Sequence, residues 1–254
     1  MLALLVWSLA VSLGVKAMDD GHTVSMPSSA PLVQLSKFNE GPHICTGVLI
    51  APNVVLTAAV CADASKTATI RSKEDVEHLE IASGRAHRTV SDDMATQYDV
   101  AVVLLRQKSK QPPAKLSFDT LSIGKQVLTY GLSQAFFDGA TSQVREMNGI
   151  VMSPSDCNPV PGAAIDSAIC ISGPLSCIGD FGSPVMAVVD GQHVVVGLST
   201  WSRQSPTCGT FLARYTRLST MRDFIEPYLV PPPTETTPTP TPTSSQCPVY
   251  RPSL

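Results

Sequence analysis

The stretch Cys177-Ile178-Gly179-Asp180-Phe181-Gly182-Ser183-Pro184 sets one large apolar residue, Phe181, between two glycines. Glycines on both sides let a backbone turn sharply and direct two N–H groups toward one point. In such a loop the central side chain carries the chemistry, but a phenyl ring cannot attack a carbonyl carbon, take up a proton or ligate a metal. The stretch therefore predicts a nucleophile loop that has no nucleophile.

This loop resembles that of the trypsin-like serine proteases, in which a serine stands between Gly-Asp and Gly-Gly-Pro. Two further segments follow the family's order of histidine, aspartate and serine. Thr57-Ala58-Ala59-Val60-Cys61 has the setting of the histidine with valine in its place, and Tyr98-Asp99-Val100-Ala101-Val102 matches the aspartate segment. The resemblance implies three degenerate triad positions, Val60, Asp99 and Phe181, and Asp99 alone keeps the family's residue.

The resemblance predicts that the chain is not an enzyme. Val60 removes the base and Phe181 removes the attacking oxygen, and losing one such member costs on the order of a millionfold in rate. No other histidine stands in the setting of the base; the five in the chain are His22, His43, His78, His87 and His193.

Two carboxylates receive structural roles in this interpretation. The resemblance places Asp99 in the interior, where it accepts backbone N–H groups near Val60 and a hydroxyl from Thr200. A buried carboxylate with such donors stays satisfied without an imidazole. Asp180 would contact His43, as in the precursor forms of the family; the alternative for His43 is a strand histidine satisfied by backbone.

Composition limits the classes of partner. At 254 residues and 43% hydrophobic content the chain can bury a full core, enough for two small barrels or one larger unit. A net charge of −3 and a pI near 5.9 argue against nucleic acid or another polyanion as a partner. We expect no cofactor and no metal.

The ends of the chain differ from its middle. The apolar run from Leu2 to Val15 is too short to span a membrane, and a small residue follows it at the cleavage position. We therefore interpret residues 1–17 as a signal peptide, which predicts an extracellular protein. We expect residues 18–230 to form the protease-like domain and the Thr/Pro-rich residues 231–254 to form a disordered tail open to O-glycosylation.

Seven cysteines in a secreted chain predict disulfide bonds with one cysteine left over. Spacing alone assigns no partners. The resemblance implies the pairs Cys45–Cys61, Cys157–Cys170 and Cys177–Cys208. Cys247 is then unpaired in the tail, where it either joins a second molecule in a dimer or stays a free thiol.

Short apolar runs separated by glycine and proline predict many short strands and little helix. The resemblance selects an all-β fold of two six-stranded antiparallel β-barrels with a C-terminal helix. An apolar stripe at helical spacing, interpreted as core packing with Ser219 as the helix N-cap, marks that helix. Its members are Leu218, Met221, Phe224, Ile225 and Leu229.

A narrower resemblance concerns the glucanase inhibitor proteins secreted by plant-pathogenic oomycetes. It depends on the signal segment, the paired cysteines, the valine at position 60 and the altered loop around Phe181. It implies a protein that binds and inhibits host plant endo-β-1,3-glucanases and so suppresses defence. The alternative is a catalytically dead protease homologue acting as an extracellular adaptor or a cell-wall binding module.

Overall fold

A computed structural model of the chain describes residues 21–39, 41, 43–72, 75–87, 98–133, 143–157, 166–173, 179–199 and 213–229. Within these residues the fold is mainly antiparallel β-sheet. The strands are β1 (His22–Val24), β2 (Leu32–Ser36), β3 (His43–Ala51), β4 (Val54–Thr57), β5 (Thr67–Arg71), β6 (Val76–Ala86), β7 (Ala101–Leu105), β8 (Gln126–Ser133), β9 (Gln143–Val151), β10 (Ala168–Ser172), β11 (Pro184–Val189), β12 (Gln192–Ser199) and β13 (Ala213–Arg217).

Two closed barrels follow one another along the chain. In the first, β2, β3, β4, β7, β6 and β5 are hydrogen-bonded in that order and the ring closes between β5 and β2. In the second, the order is β9, β10, β13, β12, β11 and β8, and β8 closes on β9. Strand β1 adds to the outer side of β9. The predicted pair of six-stranded barrels is confirmed.

Each barrel has an apolar interior, and a third cluster joins the two. The interior of the first barrel includes Val33, Leu49 and Val103, and that of the second includes Ile169 and Val185. The joining cluster contains residues from both halves of the chain, and these residues pack the two halves against each other. Because apolar burial is the main favourable term in folding, this shared core fixes one barrel against the other.

Helix is confined to short segments in the described residues. Helix α1 (Ala59–Ala64) follows β4 after the single residue Ala58. Near the C-terminal end, 3₁₀ turns at Leu218–Thr220 and Glu226–Tyr228 flank α2 (Arg222–Ile225). The N-cap prediction for Ser219 is wrong, because Ser219 lies inside the first 3₁₀ turn and Met221 precedes α2.

The apolar stripe of this C-terminal segment is core, as predicted. Leu218, Met221 and Ile225 are fully buried, and Phe224 and Leu229 pack against the same cluster. None of the described helices has the length and apolar character needed to cross a membrane.

Two of the three predicted disulfides lie among the described residues and are confirmed. Cys45 of β3 is joined to Cys61 of α1 with a Cα–Cα distance of 6.0 Å. Cys157 is joined to Cys170 of β10 at 5.5 Å. The predicted Cys177–Cys208 pair, the unpaired Cys247, the signal peptide and the tail lie outside the described residues.

Candidate functional site

The site is built around Asp99, which lies between the barrels just before β7. Its side chain is 2% exposed. Its Oδ1 accepts the backbone N–H of Ala59 at 2.7 Å, and its backbone carbonyl accepts the hydroxyl of Thr216 at 2.8 Å. The prediction that Asp99 accepts a backbone N–H beside Val60 is confirmed; Thr200, the predicted hydroxyl donor, lies outside the described residues. Asp99 therefore ties α1 to β7 and β7 to the second barrel.

Val60 follows Ala59 at the start of α1 and is 50% exposed. Its neighbour Cys61 is fully buried and is anchored to β3 through the disulfide with Cys45. The position is thus held firmly while its side chain faces solvent. An isopropyl group there can neither accept nor donate a proton.

Phe181 lies in the tight loop between residues 179 and 184. Gly179 and Gly182 have φ values of 99° and 85°, in the left-handed region that favours glycine. A Cβ at Gly182 would collide with the Thr46 carbonyl oxygen and the Thr57 hydroxyl, and would lie 2.8 Å from the Ala58 nitrogen. The loop therefore packs directly on the chain segment that leads into α1.

Backbone hydrogen bonds hold this loop to both barrels. The N–H of Thr46 in β3 donates to the Phe181 carbonyl at 2.9 Å. On the other side, the Gly182 N–H donates to the Ser199 carbonyl of β12 at 2.9 Å, and the Ser199 N–H donates to Ser183 at 2.8 Å. Because Ala58 and Ala59 lie between the loop and Asp99, the structure brings together the segments that carry Val60, Asp99 and Phe181.

The Phe181 ring is half-buried and packs against the apolar core of the first barrel. Ile44, Cys45, Ala58 and Cys61 belong to the same cluster. The ring thus contributes to packing, and it has no atom that could act as a nucleophile or a base.

His43 binds the Phe181 loop through a buried hydrogen bond. The ring is 1% exposed, and its Nε2–H donates to the Gly179 carbonyl oxygen at 2.7 Å. The hydroxyl of Thr46 donates to the same oxygen at 2.8 Å. His43 thus bonds to the backbone of Gly179, the residue before Asp180. The predicted contact with Asp180 itself stays a prediction.

The His43 imidazole is neutral at ordinary pH. Burial lowers the pKa of His43 from 6.5 to about 4, and the hydrogen bond to Gly179 opposes part of that shift. A neutral ring that donates through Nε2 serves as a fixed brace for the loop.

Sequence reasoning missed Thr46 and Thr216, although both make buried hydrogen bonds in this region. Their partners, Gly179 and Asp99, are 133 and 117 residues away along the chain. A threonine within a strand gives no local signal of such a partner, because the pattern of a strand reports only which face is buried. In the described ranges no group of three or more His, Cys, Asp or Glu side chains is placed to hold a metal ion.

Comparisons with known proteins agree on the family of folds. The sequence profile of the family named Trypsin matches residues 19–225. Among solved structures, neuropsin, a serine protease expressed in the limbic system of mouse brain, superposes with a TM-score of 0.68. That match covers 83% of this chain and 99% of neuropsin at 20% identity, so it bears on the fold alone.

The curated relatives include proteins that are named as inhibitors of glucanases. Glucanase inhibitor protein 3 of Phytophthora sojae (strain P6497) is 28% identical in an alignment of length 203 that covers 71% of this chain and 77% of the relative. Glucanase inhibitor protein 1 of Phytophthora infestans is 26% identical in an alignment of length 205 that covers 73% of this chain and 78% of the relative.

Proposed function

The chain belongs to the trypsin family. We propose that it is a secreted, non-catalytic member that binds and inhibits endo-β-1,3-glucanases of a host plant. The observation that carries the proposal is that hydrocarbon side chains stand at two of the three triad-like positions, Val60 and Phe181. Asp99 keeps its buried hydrogen bond beside α1, while Val60 and Phe181 offer no proton acceptor and no attacking oxygen.

The chemistry of hydrolysis needs both missing groups. A serine-type protease forms an acyl intermediate on its nucleophile, and a base must first take the proton of that nucleophile. In this chain the His43 ring lies under the loop, buried and engaged with the Gly179 carbonyl, so it has a different role. We therefore assign Val60, Asp99 and Phe181 to degenerate triad positions.

A protein without catalytic groups must inhibit its target by staying bound to it. A protein that cannot cut its target lowers the target's activity by forming a stoichiometric complex. Val60, which is 50% exposed on a helix fixed by a disulfide, gives this face a rigid apolar contact point, and pre-organised apolar groups are effective anchors in protein interfaces. The names of the relatives supply the class of target, glucanases.

Secretion and domain organisation complete the proposal. Two disulfides fit an oxidising compartment. Residues 1–17 would direct secretion, residues 18–230 would form the binding domain, and residues 231–254 would follow it as a tail.

Titration of a plant endo-β-1,3-glucanase with the purified chain tests the proposal. We expect release of reducing sugar from β-1,3-glucan to fall in proportion to added chain and to reach its minimum near equimolar amounts. The glucanase should remain full length on a denaturing gel. Unchanged glucanase activity at excess chain would favour the adaptor alternative, and cleavage of the glucanase would contradict a non-catalytic mechanism.

A pair of valine variants locates the contact. Val60→Glu should weaken inhibition at least tenfold if the α1 face meets the glucanase. Val76→Glu is the matched control, because Val76 is 40% exposed on β6. Equal inhibition by both variants would move the interface away from α1.

A further inference from the structure

Four aromatic rings form a continuous strip where the C-terminal helix meets the first barrel. The Tyr98 ring stacks on His87 with 5.2 Å between centroids and 30° between planes. His87 meets the edge of Phe224 at 5.2 Å, and Phe224 is followed by Tyr228 at 6.2 Å. We call these four residues the aromatic strip. All four are half-buried, so each ring keeps solvent-accessible surface.

The strip is held in place by backbone from several elements. His87 follows β6, and its N–H donates to the Val100 carbonyl at 2.9 Å. Phe224 lies on α2, and Tyr228 on the 3₁₀ turn that follows it. Arg85 of β6 reaches the Tyr228 hydroxyl at 3.3 Å. The rings therefore form a fixed surface.

Tyr98 is placed there at a conformational cost. Its φ is 59°, in the left-handed region that a bulky residue avoids, and such a backbone costs on the order of 1–3 kcal/mol. The buried Asp99 follows directly. The strained turn lets the chain bury the carboxylate of residue 99 while it directs the ring of residue 98 outward onto His87.

We infer that the aromatic strip is the docking surface for the proline-rich segment of this same chain, residues 231–242. Six of those twelve residues are proline, and Pro231 comes three residues after Tyr228. Proline-rich segments adopt the extended polyproline II helix, which docks on aromatic-lined surfaces at little entropic cost because it is already ordered.

The length of the aromatic strip and the short link from Tyr228 to Pro231 both favour residues 231–242 as the segment that docks there. One polyproline II turn advances about 9 Å, and successive rings of the strip are 5.2 to 6.2 Å apart, so one to two turns cover it. A segment tethered this closely has an effective concentration on the order of millimolar, which compensates for weak contacts. Glu235 is the one charged residue from 231 to 242, and Arg85 lies at the Tyr228 end of the strip.

The test compares the full chain with a variant whose segment cannot form polyproline II. In that variant serine replaces each of the six prolines 231, 232, 233, 238, 240 and 242. All six positions follow Leu229, the last residue that the structure describes, so the described fold should survive. In the native chain we expect nuclear Overhauser contacts from prolyl ring protons to Phe224 and Tyr228. In the variant, which lacks those protons, we expect shifted resonances for all four rings and unchanged resonances for Leu49 and Val55.

Two further variants test whether the contacts to the prolines depend on the aromatic strip. Tyr98→Asn keeps a residue that tolerates the left-handed turn but removes one ring of the strip, and it should weaken the contacts to the prolines. Phe38→Ser removes a ring that is 60% exposed in the loop after β2, and it should leave those contacts unchanged. Identical strip resonances in the native and six-serine chains would overturn the inference. Contacts that disappear on dilution would also overturn it, since they would come from a second copy.

Discussion

Asp99 and Val60 belong to one small region, but the fold constrains their side chains very differently. The Asp99 carboxylate is 2% exposed and hydrogen-bonded to the residue that precedes Val60, whereas the Val60 side chain is 50% exposed. Replacing a buried acceptor leaves donors unpaired, whereas replacing an exposed side chain costs little. A scaffold of this kind can lose its reacting groups and still keep the polar contacts on which its stability depends. We expect this contrast to appear as a graded series of effects on stability.

The loop that carries Phe181 should tolerate substitution least. Gly182→Ala combines a φ of 85° with a collision against the Thr46 carbonyl and the Thr57 hydroxyl. Backbone strain and overpacking of this kind cost roughly 1–3 kcal/mol each, so we expect a loss of about 4 kcal/mol, or no folded protein. Urea unfolding measures it.

Gly191→Ala is the matched control for that substitution. Gly191 has a φ of 74°, but a Cβ there would meet nothing within 4 Å. It should cost about 1–2 kcal/mol from backbone conformation alone. Equal losses at the two glycines would mean that the loop does not pack against β3 and β4.

The pH dependence should reveal the buried His43. Its pKa is about 4 in the folded chain and 6.5 in the unfolded chain, so the unfolded chain binds more protons between these values. The free energy of unfolding should therefore decrease as pH falls from 6.5 to 4 and level off below, by about 3 kcal/mol in total from this group. Urea unfolding at stepped pH measures the slope.

Two variants isolate that contribution. His43→Gln should reduce the slope in this pH window, because no imidazole then remains in the interior at this position. His193→Asn should keep the slope, since His193 is exposed on β12. A native slope in the His43 variant would contradict the assignment.

Asp99 should matter for stability in the absence of any catalysis. Asp99→Ala leaves the buried Ala59 N–H without its 2.7 Å acceptor, which costs about 1–3 kcal/mol, and we expect a melting temperature several degrees lower. Asp99→Asn keeps an oxygen at the acceptor position and should retain more of the stability. No change in either variant would remove the structural role of this carboxylate.

Val60 should show the smallest effect. Val60→Ser should change the free energy of unfolding by no more than about 0.5 kcal/mol, as is usual for exposed positions. Val55→Ser in β4, where the side chain is fully buried, should cost several times more. A large loss at Val60 would indicate that its side chain is part of the core.

The sequence predicted many short strands because its apolar runs are bounded by glycine and proline, and the family resemblance predicted their arrangement in two barrels. It missed β1, whose three residues are too few to show the alternation that marks a strand. It also missed α1, because the six residues Ala59–Ala64 are too short for helical periodicity to be recognised. The two confirmed disulfides came from the family resemblance, since spacing alone assigns no partners.

The candidate site was predictable in position and less so in its contacts. The motifs around Val60, Asp99 and Phe181 located segments that the fold brings together. The partners of those segments are backbone groups and threonines from distant strands, such as Thr46 and Thr216. Contacts of that kind depend on the register of strands far apart in the chain, which local patterns do not determine.

Labelling by a serine-reactive fluorophosphonate, followed by intact mass spectrometry, tests the absence of hydrolytic chemistry most directly. We expect the native chain to keep its mass, and the double variant Val60→His with Phe181→Ser to gain one adduct at residue 181. A stoichiometric adduct on the native chain would contradict the account, because a reactive hydroxyl would then be present without either substitution.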